Sequence, residues 1–97
     1  MKSDNTFIYA LSGEIDHHKS ERIRNEVDEI ILSERPNILK FDFSKVRFMD
    51  SSGIGLVLGR YRLISSMGGK IVVCGVENNI AKLFRMSGVD KIIEITK

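Results

Sequence analysis

Apolar and polar residues recur along this chain with two different periods, and the changes of period divide it into strands and helices. Leu39, Phe41 and Phe43 fall on every second position with Ile38, Lys40 and Asp42 between them, the two-residue period of a strand. Val46 and Phe48 extend the apolar character toward Asp50. Upstream, Thr6-Phe7-Ile8-Tyr9-Ala10-Leu11-Ser12 has the aromatic and branched content of a strand, broken by Gly13, with Glu14-Ile15 offering a continuation. The period then lengthens. Ile23, Val27, Ile30 and Ile31 recur at helical spacing opposite a polar face of Glu21, Arg22, Arg24, Asn25 and Glu29. Asp16 is a suitable N-cap for this helix, and Pro36 predicts its end near Glu34.

After Asp50 the stripe Ile54, Val57, Leu58, Tyr61 and Ile64, widened by Leu56 and Leu63, predicts a largely covered helix that Gly68-Gly69 stops. Gly55 and Gly59 share a face of it, where their lack of side chains suits close backbone packing. Lys70 to Gly75 is a short unbroken apolar run between glycines, the pattern of a strand buried on both faces and hence parallel. Asn78 or Asn79 would cap a short helix carrying Ile80, Leu83 and Phe84, ended by Gly88, and Ile92, Ile93 and Ile95 would form the last strand. Strands alternating with helices at this spacing predict an α/β domain, a mixed but mainly parallel sheet packed with helices. In such sheets function collects at the carboxyl ends of strands, which is where Asp50-Ser51-Ser52-Gly53 falls.

Composition narrows the choice of function. Ninety-seven residues with 42% hydrophobic content are enough for one core, so residues 1–97 are expected to form a single domain without a linker. A net charge of +2, drawn from 15 basic and 13 acidic residues without clustering, gives no nucleic-acid footprint. Cys74 stands alone among branched residues and reads as a buried thiol. Met1 to Asn5 lead into too short an apolar stretch for a signal peptide, and no run approaches the ~20 apolar residues of a membrane span. A soluble, cytoplasmic protein with no membrane partner is expected.

The chemistry available centres on Asp50-Ser51-Ser52-Gly53. At a strand-to-helix corner an acidic residue, two hydroxyls and a glycine can cap the helix, and they leave a hydroxyl beside free backbone N–H groups, a setting that suits phosphate. A plain N-cap is the simpler account of those four residues taken alone. An enzyme would pair Ser51 or Ser52 with His17 or His18 as base and Asp50 or Asp16 as orienting acid, but no Gly-x-Ser-x-Gly elbow is present. Adjacent histidines diverge too far to share a metal, and no Gly-Lys-Ser or Gly-Lys-Thr follows to make a phosphate-binding loop. Neither catalysis, a metal nor a cofactor is expected.

Three separated stretches together carry more information than the corner alone. They are Phe48-Met49-Asp50-Ser51-Ser52-Gly53-Ile54-Gly55 with Gly59-Arg60-Tyr61, Gly13-Glu14-Ile15-Asp16-His17-His18, and Leu83-Phe84-Arg85-Met86-Ser87-Gly88. Taken in chain order they resemble STAS domains of the anti-sigma factor antagonist type. The resemblance implies a phosphorylation switch in place of catalysis. The unmodified antagonist binds an anti-sigma factor that is also a serine kinase and so frees a sigma factor, phosphorylation releases the antagonist, and a PP2C-type serine phosphatase restores it. By the same match Ser51 is the phosphorylated residue and Asp50, Ser52 and Gly53 support its loop, with capping as the role of Ser52. Asp16, His17, Ser51, Ser52 and Ile54 face the kinase. Sporulation members of the family continue past the last strand into a further helix, whereas this pattern ends at Lys97 as in general-stress members. Sporulation control is the first expectation. A general-stress antagonist, or a non-catalytic scaffold or transport-complex subunit, is the alternative.

Overall fold

The computed structural model describes residues 5–97, so the reading of Met1 to Asp4 lies outside the described residues. Strand β1 (Thr6–Ile15) leads to helix α1 (His17–Glu34), β2 (Ile38–Met49) to α2 (Ser51–Ser66), and β3 (Lys70–Cys74) to α3 (Asn78–Ser87). A 3-10 turn over Val89–Lys91 then precedes the short β4 (Glu94–Ile95). The strands stand in the order β1-β2-β3-β4, and every pairing is parallel.

That order explains the layering. Parallel crossovers are right-handed, so a sheet that always grows in the same direction receives its connecting helices on the same face. Leu39, Phe41, Phe43, Ile71 and Val73 point into the helix layer and are buried. There they meet Ile23, Val27 and Ile31 of α1, Val57 and Ile64 of α2, and Ile80 and Phe84 of α3 in one core. The rings of Phe43 and Phe84 meet edge to face at 5.7 Å, which seats α3 beside the others. The opposite face of the sheet carries no helix among the described residues. For this reason β3, expected to be buried on both faces, is covered on one only, and Val72 and Cys74 are half-buried.

The second strand departs from strict alternation. Ala10 pairs with Asp42 but Ser12 with Lys45, and Gly13 pairs with Val46 but Glu14 with Phe48, so β2 takes up an extra residue at each slip. A bulge moves every later side chain to the other face. Val46 and Met49 therefore follow Phe43 into the core, and Phe48, read from the sequence as part of the apolar face, is turned outward at 52% exposure. In β1 the break foreseen at Gly13 is a left-handed residue, φ 75°, inside a continuous strand.

Helix ends follow local chemistry with two corrections. Asp16 caps α1 as expected, and α1 ends at Glu34 with Arg35 in the left-handed region and its N–H bonded to the Ile31 carbonyl at 3.1 Å. The first correction is that neither Asn78 nor Asn79 caps α3. Glu77 occupies the N-cap without a side-chain bond, while the Asn79 amide donates to the Arg47 carbonyl at 3.4 Å. The second is that Ile92 and Ile93 are not strand. Left-handed Gly88 opens a tight turn in which both their N–H groups bond to the Val89 carbonyl, leaving only Glu94–Ile95 to pair with β3.

The glycines of α2 also differ from expectation. A Cβ built on Gly55 or Gly59 would meet nothing within 4 Å, so neither holds α2 close to a neighbour within this chain. The close approach is at Gly53, where a Cβ would fall 2.2 Å from Sδ of Met49, the residue that the second bulge turns inward. Gly53→Ala should cost about 1–3 kcal/mol by overpacking. Gly55→Ala and Gly59→Ala should each stabilise by about 0.5–1 kcal/mol through helix propensity. Urea unfolding midpoints check the contrast, and a loss of stability at Gly55 or Gly59 would contradict it.

Candidate functional site

The ladder between β1 and β2 ends on the pair Ile15 and Met49. Because the strands are parallel, the next residues, Asp16 and Asp50, are set down at the same edge of the sheet. Both adopt nearly the same extended conformation, φ −100° and ψ −175° for Asp16 and φ −96° and ψ −174° for Asp50, and each is the N-cap of a helix. The Asp50 N–H donates to the Ile15 carbonyl at 3.2 Å and ties the two caps together. Two helix N-termini thus open side by side, with their unpaired N–H groups and positive dipole ends on the same surface.

Within the second cap, Asp50 Oδ1 accepts from the Ser52 N–H at 2.9 Å and also from the Ser52 hydroxyl. Ser52 Oγ lies 3.1 Å from Ser20 Oγ, which projects from the second turn of α1 and is only 7% exposed. Bonding to Ser52 holds the Asp50 carboxyl below its ordinary pKa, and the nearby His17 lowers it further. The cap is therefore Asp50 and not Ser52, which corrects the role given to that serine. The side chain of Asp bridges the N-cap geometry directly, and Ser52 is left to be held by it.

The other residues singled out in the sequence divide into two sets. Asp16, His17 and Ser51 are exposed around the joined N-termini, and Ser51 takes no part in the bonding that engages Ser52. Gly53 and Ile54 are inside, Gly53 against Met49 and Ile54 at 9% exposure, so Ile54 supports the corner from beneath rather than presenting its side chain. His17 and His18 meet edge to face at 6.0 Å, and no group of acidic, histidine or cysteine side chains suited to a metal occurs among the described residues.

Two polar residues of the helix layer, Arg60 and Ser20, are buried although neither is given a role by the sequence pattern. Arg60, 8% exposed, places Nε 2.6 Å from Asp28 Oδ1 and Nη1 3.3 Å from the Leu56 carbonyl, linking α2 to α1. Burial pushes its guanidinium pKa down, and the carboxylate opposes that shift. Its signal lay in position, since Arg60 stands three residues after Val57 and four before Ile64 on an apolar stripe. Ser20 likewise precedes Ile23 and Val27 on the stripe of α1. A groove of about 410 Å³ runs between the helices from His17, Ser20 and Ser52 past Gly55 and Gly59 to Arg60.

Four parallel strands under one helix layer, with a serine corner where two helix N-termini adjoin, make up this part of the molecule. The chain belongs to the STAS domain family, whose pattern it matches over residues 1–97. It is 43% identical over 88 residues to an anti-sigma F factor antagonist of Paenibacillus polymyxa, covering 91% of this chain and 75% of that protein. It is 28% identical over 85 residues to an anti-sigma-B factor antagonist of Listeria monocytogenes, with 88% and 74% covered. Among solved structures it is similar to the anti-sigma factor antagonist SpoIIAA in its unphosphorylated form, with TM-score 0.85 and 32% identity over 100% of this chain and 84% of the other. The phosphorylated form of the Bacillus protein gives TM-score 0.75 at 32% identity, covering 100% and 87%. These relatives are named as antagonists and not as enzymes.

The cap makes stability depend on pH in a defined direction. A carboxyl whose folded pKa lies below its unfolded value, ordinarily 3.8, stabilises the fold above that value and loses the contribution as pH falls through the folded pKa. Asp50→Asn keeps a capping oxygen without the charge. The wild type should therefore exceed the variant in melting temperature at neutral pH by a margin that shrinks below pH 3.8. Thermal unfolding across that range tests it, and a constant margin would exclude ionised Asp50 as the source.

Proposed function

We propose that this protein is an anti-sigma factor antagonist switched by phosphorylation of Ser51. Unmodified, it binds an anti-sigma factor serine kinase and frees a sigma factor. Phosphorylation ends the binding, and a PP2C-type serine phosphatase restores it. The observation that carries this reading is the unequal treatment of adjacent serines at a helix N-terminus, Ser52 being bonded to Asp50 while Ser51 is exposed. The names of the 43% and 32% identical relatives supply the partner class. Higher identity to a sigma F antagonist than to a sigma-B antagonist favours sporulation over general stress as the pathway. Residues 1–97 act as one STAS domain in the cytoplasm, with no nucleic acid or membrane as partner.

The contact surface is the pair of joined helix N-termini, with Asp16, His17 and Ser51 outward and Ser52, Gly53 and Ile54 holding the corner. A phosphoryl group on Ser51 adds about −1.5 to −2 charge at neutral pH. In the free domain the helix dipole and open N–H groups favour that charge and Asp50 opposes it, so the fold is left nearly as it was. Against a partner shaped for a neutral hydroxyl the same charge must be buried unpaired, which lowers affinity on the order of a hundredfold.

Ser51→Ala should lose nearly all labelling by the anti-sigma kinase and ATP, and Ser51→Asp should lose part of the affinity, since a carboxylate carries less charge and fewer acceptor oxygens. Phosphopeptide mapping and titration calorimetry read the two effects. Full labelling of Ser51→Ala would overturn the assignment. Amide exchange in the free phosphorylated domain should change only over residues 48–60, and widespread changes would replace local blocking with a conformational switch.

A further inference from the structure

The hydroxyl contacts at the corner admit only one arrangement of protons. A serine hydroxyl has a single proton to give, and an ionised carboxylate only accepts. Ser52 therefore spends its proton on Asp50, and the bond between the two serines, 3.1 Å long, must be donated by Ser20. The relay runs from Ser20 to Ser52 to Asp50, and it leaves Ser52 Oγ both donating and accepting. Ser20 is fixed in turn, because it is only 7% exposed on α1 beside Ile23. Ser51, the residue before Ser52, lies outside the relay and faces solvent.

Phosphoryl transfer needs the opposite of what Ser52 has. The attacking oxygen must direct a lone pair at the γ-phosphorus of a nucleoside triphosphate, forming an O–P bond as the bond to the leaving nucleoside diphosphate breaks, and its proton must pass to a base of the kinase. Ser52 would have to leave both partners and turn out of the helix interface to do this. We infer that Ser20 is a positioning residue that determines specificity: by bonding to Ser52 from the neighbouring helix it withholds that hydroxyl and directs the kinase to Ser51. This rests on the proposed antagonist function, and it adds to that function a reason why only one of two adjacent serines is modified.

The test removes the preferred acceptor and then the restraint. With the anti-sigma kinase and ATP, Ser51→Ala should show little modification at Ser52. Adding Ser20→Ala should raise the Ser52 phosphopeptide about fivefold, the factor expected for one lost hydrogen bond. Adding Ser20→Thr, which keeps a hydroxyl, should return it toward the level of Ser51→Ala alone. A merely structural role for Ser20 would not follow the presence of the hydroxyl in this way. NMR couplings of the Ser52 side chain provide a measurement independent of the kinase, with one dominant rotamer expected in the wild type and a larger minor population in Ser20→Ala, where only the bond to Asp50 remains. Rotamer populations unchanged in Ser20→Ala, or unchanged Ser52 labelling, overturn the inference. Absence of any Ser51 labelling in the wild type overturns the proposed function instead, and the NMR comparison then decides alone whether Ser20 restrains Ser52.

Discussion

The last hydrogen bond between the first two strands, from the Asp50 N–H to the Ile15 carbonyl at 3.2 Å, sets where both long helices begin. In a parallel pair, strand ends reach the same edge together, so one register delivers Asp16 and Asp50 side by side. Each aspartate then caps its own helix by the same geometry. An exposed serine at the adjoining positive ends of two helices is a by-product of that arrangement. The proposed switch uses a feature that the ladder has to create anyway.

Placing the corner also required the strand and helix to be fitted to one another. The bulges in β2 lengthen the strand relative to β1 and rotate Met49 into the core while turning Phe48 out. Met49 then fills the space beneath the first turn of α2, which leaves room only for hydrogen at position 53. Glycine is thus demanded there by packing, whereas at Gly55 and Gly59 the chain itself makes no such demand. Those two line the groove between the helices and pay the propensity cost of glycine without a packing return inside the domain.

Across the helix layer, polar ties supplement the apolar core. Arg60 reaches Asp28, and Ser20 reaches Ser52, so α1 and α2 are joined at two levels as well as packed. Removing one member of the ion pair would leave the other with an uncompensated charge in a site that burial makes unfavourable, which makes the pair sensitive to substitution without making it a large source of net stability. The serine contact is weaker and closer to the corner, where a small bias is enough to distinguish neighbouring hydroxyls.

Much of this was readable in the chain alone. Alternation at Leu39, Phe41 and Phe43 and the stripes of α1 and α2 determined the elements, because side-chain period follows directly from backbone geometry. Asp16 as a cap, Gly88 as a stop and the Asp50-Ser51-Ser52-Gly53 corner were local features and were legible for the same reason. Tertiary structure decided what depends on a neighbour in space. Strand order left β3 covered on one face, bulges reversed Phe48, and the space around α2 moved the close glycine contact from Gly55 and Gly59 to Gly53. The bonding of Ser52 to Ser20, 32 residues away, likewise has no trace in local sequence. A one-dimensional pattern records the preferences of each segment, whereas register and the partner of a buried polar atom arise only when distant segments are pressed together.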